Sequence, residues 1–158
     1  MLKLALLDYP AFEIDTRELT RTTPSFMIDT LDSFRDEFGY TMSITLCLGM
    51  DAFMLLPQWH AWQKILKRCH LLIIERAKMS EESLPEVLKS IVLAHEIFDK
   101  NTLMAHTHGK IYRFDAGYYP ISSSWLRSQL LAGYSIERYV PAPVYQYIKD
   151  QALYTPEK

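Results

Sequence analysis

Cysteine is scarce in this chain: Cys47 and Cys69 are the two among 158 residues. Two are too few for a disulfide framework. Cys47 lies inside an apolar run and Cys69 just before another, so both are expected as buried free thiols. Long apolar stretches are missing as well. None approaches the roughly 20 residues of a membrane-spanning helix. Met1 to Leu7 is too short for the apolar core of a signal peptide, and no small-residue cleavage site follows. There is no basic excess: 17 Lys and Arg against 19 Asp and Glu leave a charge of −2. That balance argues against a nucleic-acid surface. The expected setting is the cytoplasm, with neither membrane nor nucleic acid as a partner.

Core material is plentiful. Hydrophobic residues make up 49% and aromatic residues 13%, so the composition is not that of a disordered chain. The length suits one domain over residues 1–158. The charge cluster from Asp29 to Glu37, with Arg35, is expected as a solvated helix face.

Apolar spacing gives the fold class. Phe12 to Asp15 is a short strand candidate. Thr23 and Pro24 offer a cap and a first-turn proline for a helix with Met27, Ile28, Leu31, Phe34 and Phe38 as its stripe, ended by Gly39. Ser43 to Leu48 and Leu71 to Ile74 are nearly unbroken apolar runs, as in strands covered on both faces. Ser83-Leu84-Pro85-Glu86 reads as a capping box. It opens a helix with Leu84, Leu88, Ile91, Ala94 and Phe98 inward. Lys110 to Phe114 is the next strand, and helices from Ser123 and Pro141 close the chain. Met79 to Glu82 and Asn101 to Gly109 are expected as flexible connections. Such alternation predicts an α/β fold with a parallel sheet and flanking helices.

The chemistry concentrates at Ile121-Ser122-Ser123-Ser124-Trp125-Leu126-Arg127. Serines at a helix start offer hydroxyls to the free N–H groups of the first turn. The same turn attracts anions, and an arginine one turn in can reach phosphate oxygens. A serine-capped helix with a surface arginine fits the same residues. Gly49 and Asp51 follow a strand end, where ligands of open α/β sheets bind. Asp51 there suits a ribose hydroxyl or a helix cap. Trp59, after Pro57-Gln58, suits the core or an aromatic stack. His70, His95, His106 and His108 form no metal-ligand set. No Ser-His-Asp or Cys-His arrangement is readable.

Ile121-Ser122-x-Ser124-x-x-Arg127 resembles the ISxTxxR phosphate motif of the nucleotidyltransferase superfamily, with serine for threonine at 124. Three further segments, in family order, resemble the bacterial nicotinate-nucleotide adenylyltransferases. Pro24-Ser25-Phe26-x-x-x-Thr30-Leu31 resembles PSYTxxTL. Gly49-x-Asp51, Trp59 and Leu66 resemble the pyridine-nucleotide segment. Val140-Pro141-x-x-Val144-x-x-Tyr147-Ile148 with Leu153-Tyr154 resembles the C-terminal signature.

The resemblance implies a Rossmann-like nucleotidyltransferase fold and adenylyl transfer from ATP to nicotinate mononucleotide, with Mg²⁺ accompanying ATP. It implies that Ile121, Ser122, Ser124 and Arg127 hold phosphates and that Gly49 and Asp51 meet the adenosine ribose. It implies a stack of Trp59 on the nicotinate ring, with the N–H groups of His60 and Met27 on its carboxylate. Arg76 ends a strand, as a family arginine does, and suits the nucleotide or the surface equally. Phe26 and Met27 stand where the family has tyrosine and threonine, so backbone contacts carry over but side-chain contacts do not.

The family's GxFDPxHxGH loop, whose two histidines hold phosphates, has no counterpart in these residues. Met1 to Leu6 resembles the middle of a family helix. The expectation is therefore an N-terminally truncated fold with no catalytic residue of its own. Such a chain would be weak or inactive alone and prone to self-association. A non-catalytic remnant that binds nucleotide or protein, and a related adenylyltransferase for another phosphorylated acceptor, remain open beside it.

Overall fold

The computed structural model describes residues 1–75, 84–117 and 119–155. They form two compact units. One runs from Arg17 to Tyr119, and the other combines Met1–Thr16 with the segment from Pro120 onward.

The larger unit is built on a parallel sheet. Its strands are β1 (Thr45–Gly49), β2 (His70–Glu75), β3 (Glu96–Ile97) and β4 (Ile111–Asp115), in the order β1-β2-β4-β3. Leu46 pairs with Leu71, and Leu71 pairs with Ile111. The helices of this unit are α2 (Met27–Phe38), α3 (Met50–Met54), α4 (Glu86–His95) and α5 (Asn101–Ala105). Phe53, Ile65, Leu71, Ile73, Leu88 and Ile111 have no exposed surface. Burying each such side chain contributes about 1.5–3 kcal/mol. Interior strand β2 is the hydrophobic run that the sequence suggested. β1 differs from expectation: Thr45 and Cys47 are exposed, so one face is covered rather than two. Among the described residues β1 has a neighbour on one side alone.

Helix α2 starts at Met27, not at Thr23. Phe26 is still extended, and its carbonyl accepts from Asp29 and Thr30. Arg21 binds the hydroxyls of Ser25 and Thr30, which keeps the preceding segment out of the helix. Gly39 ends the helix as expected, at a φ of +77° that glycine tolerates best. The inward face is Ile28, Leu31 and Arg35, while Phe38 is exposed and stacks on Phe34.

The charged side of α2 is solvated in part, as expected: Asp29, Asp36 and Glu37 are exposed, whereas Arg35 is buried. Arg17 donates to Ser33 and pairs with Glu37, and its guanidinium lies 3.7 Å from the Phe34 ring centre. Thr30, Ser33 and Phe34 thus meet Arg17, Glu18 and Arg21 of the irregular strap that precedes the helix.

Helix α4 ends at His95 because Glu96 and Ile97 extend to pair with β4. This leaves Phe98, expected in the stripe, 88% exposed. Ser83 and the Met79–Glu82 segment lie outside the described residues. Asn101–Ala105, expected as a connection, is helical, with the Asn101 N–H bonded to Asp99.

The smaller unit holds α1 (Leu2–Ala5), α6 (Ser123–Leu131) and α7 (Ala142–Asp150). Ile136, Val144 and Ile148 form its core, with Leu4, Leu126 and Leu130 packed against them. The expected strand at Phe12–Asp15 does not form. A strand needs a ladder partner, and the Phe12 N–H instead closes a turn onto Tyr9 at 3.0 Å.

Candidate functional site

A cleft of about 360 Å³ opens in the larger unit, lined by Glu18, Ser25, Phe26, Met27, Gln58, Trp59 and His60. Three expected residues, Met27, Trp59 and His60, meet there. Met27 opens α2, where a first-turn N–H has no helical partner. His60 lies just past the turn Leu56–Gln58. Neither residue's N–H is bonded within the described residues. Trp59 is half-buried and packs against the core while also lining the cleft. Phe26 stacks on His60 with ring centres 4.4 Å apart. Glu18 and Gln58 were missed in the sequence, since nothing local marks them as neighbours of Trp59.

Gly49 and Asp51 sit where β1 gives way to α3, and they do not line that cleft. Asp51 is exposed in the first turn of α3, and its carboxylate accepts no hydrogen bond from the described residues. Gly49 is the N-cap, so Asp51 does not cap by side chain. Arg76 lies outside the described residues.

The serine motif belongs to the other unit. Ile121 precedes the N-cap Ser122, whose Oγ accepts from the Trp125 N–H at 3.1 Å. The capping role read from the sequence is therefore real. The N–H groups of Ser123 and Ser124 have no partner among the described residues. Arg127 is exposed and makes one long contact, 3.4 Å to Ser124 Oγ. Beside it lies an apolar cleft of about 310 Å³ lined by Leu126, Leu130, Val144 and Ile148 among others.

His70 and Cys69 lie in the core. His70 is fully buried. Its Nδ1 accepts from the Lys110 N–H, so Nε2 carries the proton and donates to the His106 carbonyl. Burial, the dominant cause, pushes its pKa below the ordinary histidine value. Burial also pushes the Cys69 thiol up to about 12. Cys47 is exposed rather than buried, because it faces outward on the terminal strand. Among the described residues no three His, Cys, Asp or Glu side chains gather to hold a metal ion. No helix among them is long and apolar enough to cross a membrane.

Parallel strands with flanking helices define the class as an α/β fold. A solved structure shares it: the Plasmodium falciparum nicotinic acid mononucleotide adenylyltransferase complexed with APC, with a TM-score of 0.53. At 19% identity that likeness speaks for the fold alone. It covers 90% of this chain and 64% of the other. Sequence relatives go further. A probable nicotinate-nucleotide adenylyltransferase of Legionella pneumophila is 44% identical over 154 residues, covering 98% of this chain and 72% of that protein. One from Yersinia enterocolitica is 38% identical, covering 98% of this chain and 70% of that protein. The chain belongs to the nicotinate-nucleotide adenylyltransferase family. No protein-family model matches it.

Proposed function

We propose that this chain serves adenylyl transfer from ATP to nicotinate mononucleotide, giving deamido-NAD and pyrophosphate in NAD biosynthesis. The observation that carries the reading is the cleft lined by Trp59, Met27 and His60, the last two with backbone N–H groups that have no partner among the described residues. An indole beside a pyridinium supplies stacking with a cation–π part. Two free N–H groups suit the nicotinate carboxylate. Gly49 and Asp51 would meet the adenosine ribose. Ile121, Ser122 and Ser124 would shape the helix start that seats the triphosphate, with Arg127 as its guanidinium fork.

In the transfer, the mononucleotide's 5′-phosphate oxygen bonds to the α-phosphorus of ATP. The bond from that phosphorus to the bridging oxygen breaks, and pyrophosphate leaves with the electron pair. Such transfers depend on positioning and charge stabilisation. Mg²⁺ would arrive with ATP, held by phosphate oxygens and water.

The test is calorimetric titration of residues 1–158 with nicotinate mononucleotide. Trp59→Ala is expected to weaken binding by about 1–3 kcal/mol, the range for aromatic stacking. If Trp59→Ala and Trp59→Phe both bind like the parent chain, the cleft is not the pyridine site. A chain that binds neither mononucleotide nor ATP would overturn the reading.

A further inference from the structure

The cleft has one wall with no regular structure. Its residues Glu18, Ser25 and Phe26 come from the strap that runs over α2. A strap that pairs its backbone only at Phe26 among the described residues needs another constraint to hold a ligand wall in place. That constraint is visible. Arg21 donates to Ser25 Oγ at 3.1 Å and to Thr30 Oγ1 at 2.9 Å. Thr30 Oγ1 in turn donates to Glu18. Thr30 is 8% exposed on α2, one turn after Met27, so it is the fixed member of the set. A β-branched side chain on a helix has little rotamer freedom. Its single hydroxyl therefore orients a cation and a carboxylate at once, and charge-assisted bonds are the stronger kind.

We infer that Thr30, between Arg21 and Glu18, is a positioning residue that fixes the Ser25–Met27 wall of the cleft and so sets affinity for the pyridine mononucleotide. The inference rests on the reading that this cleft takes the nicotinate ring. Thr30 itself does not line the cleft. It acts through Arg21, Ser25 and Glu18, and it has no part in seating ATP phosphates, which is assigned to the other unit.

Thr30→Val keeps the shape and branching but deletes the hydroxyl, while Thr30→Ser keeps the hydroxyl. Calorimetry on residues 1–158 should show nicotinate mononucleotide binding roughly tenfold weaker in Thr30→Val. ATP affinity should be unchanged, and Thr30→Ser should bind like the parent. Equal mononucleotide affinity in Thr30→Val would overturn the inference. So would a matching loss of ATP affinity, or a Thr30→Ser variant as weak as Thr30→Val. If the parent chain binds no mononucleotide, the reading of the cleft fails, and hydrogen exchange decides the network. The Asp29 amide, bonded to the Phe26 carbonyl at 3.1 Å, should exchange faster in Thr30→Val and not in Thr30→Ser. Unchanged exchange at Asp29 would overturn the positioning role.

Discussion

Arg35 on α2 donates to the carbonyl of Thr107, 72 residues further along the chain, at 2.8 Å. The same guanidinium serves the carbonyls of Gly39, Met42 and Arg68. It is 2% exposed, and each of these hydrogen-bond acceptors is a backbone carbonyl. Arg35 thereby ties the end of α2 to the segments entering β1, β2 and β4. Leaving a buried polar group without its bond costs about 1–3 kcal/mol. Arg35→Met strands several carbonyls and should destabilise the larger unit by at least about 3 kcal/mol. Urea unfolding would measure this, and a loss below about 1 kcal/mol would mean that water replaces the guanidinium.

His70 should make stability depend on pH. Its folded pKa lies below the unfolded value of about 6.5. The unfolded chain therefore binds more protons between those two values, and stability rises with pH across that window. Protonating Nδ1 removes the acceptor for the Lys110 N–H and adds charge near Arg35, His106 and His108. On acidification from pH 7, stability should begin to fall near pH 6.5 and stop responding to this group below its lowered pKa. His70→Gln should flatten that slope. Parallel pH profiles for the two chains would show that His70 does not carry it.

The two thiols should react unequally. Cys47 is exposed, although partial burial raises its pKa and slows it. Cys69 is buried with a pKa of about 12, so it is almost all thiol at neutral pH. A disulfide reagent should titrate one cysteine in the native chain and both in denaturant. Two fast thiols before unfolding would contradict the packing around Cys69.

Arg127 should govern ATP without touching the mononucleotide. It is exposed, with one long contact to Ser124, and so is available to an anion. Hydrogen bonds to charged groups contribute about 1.5–3 kcal/mol, so Arg127→Ala should weaken ATP binding by roughly tenfold or more. Arg127→Lys should restore part of it, since a point charge replaces a planar fork. Unchanged ATP affinity by calorimetry would remove the phosphate role.

Strand β1 should make the chain self-associate. Among the described residues it pairs with β2 alone, and Cys47 and Thr45 lie exposed on it. Unpaired strand edges template pairing with other chains. Sedimentation of residues 1–158 should show a mass that rises with concentration, and Cys47→Lys should reduce it. A monomer at every concentration, unfolding at a concentration-independent temperature, would refute this.

Periodicity and turn chemistry in the sequence determined the parallel α/β class, the strands at Leu71–Ile74 and Lys110–Phe114, the Gly39 stop and the Ser122 cap. These features depend on neighbours a few residues apart, so local order encodes them. Motif order also pointed to the family. Tertiary structure alone decided what covers each surface. Arg35 sits in a charged run yet is buried, because the carbonyls of Gly39, Met42, Arg68 and Thr107 converge on it. Phe98 continues an apolar stripe yet is exposed, because Glu96 and Ile97 leave the helix to pair with β4. Thr30 stands in the PSYTxxTL-like segment, yet nothing local shows that Arg21 and Glu18 meet its hydroxyl. Hydrogen-bond partners brought together from distant segments leave no periodic trace in the chain, so the cleft wall and the arginine hub emerged only once the backbone was in place.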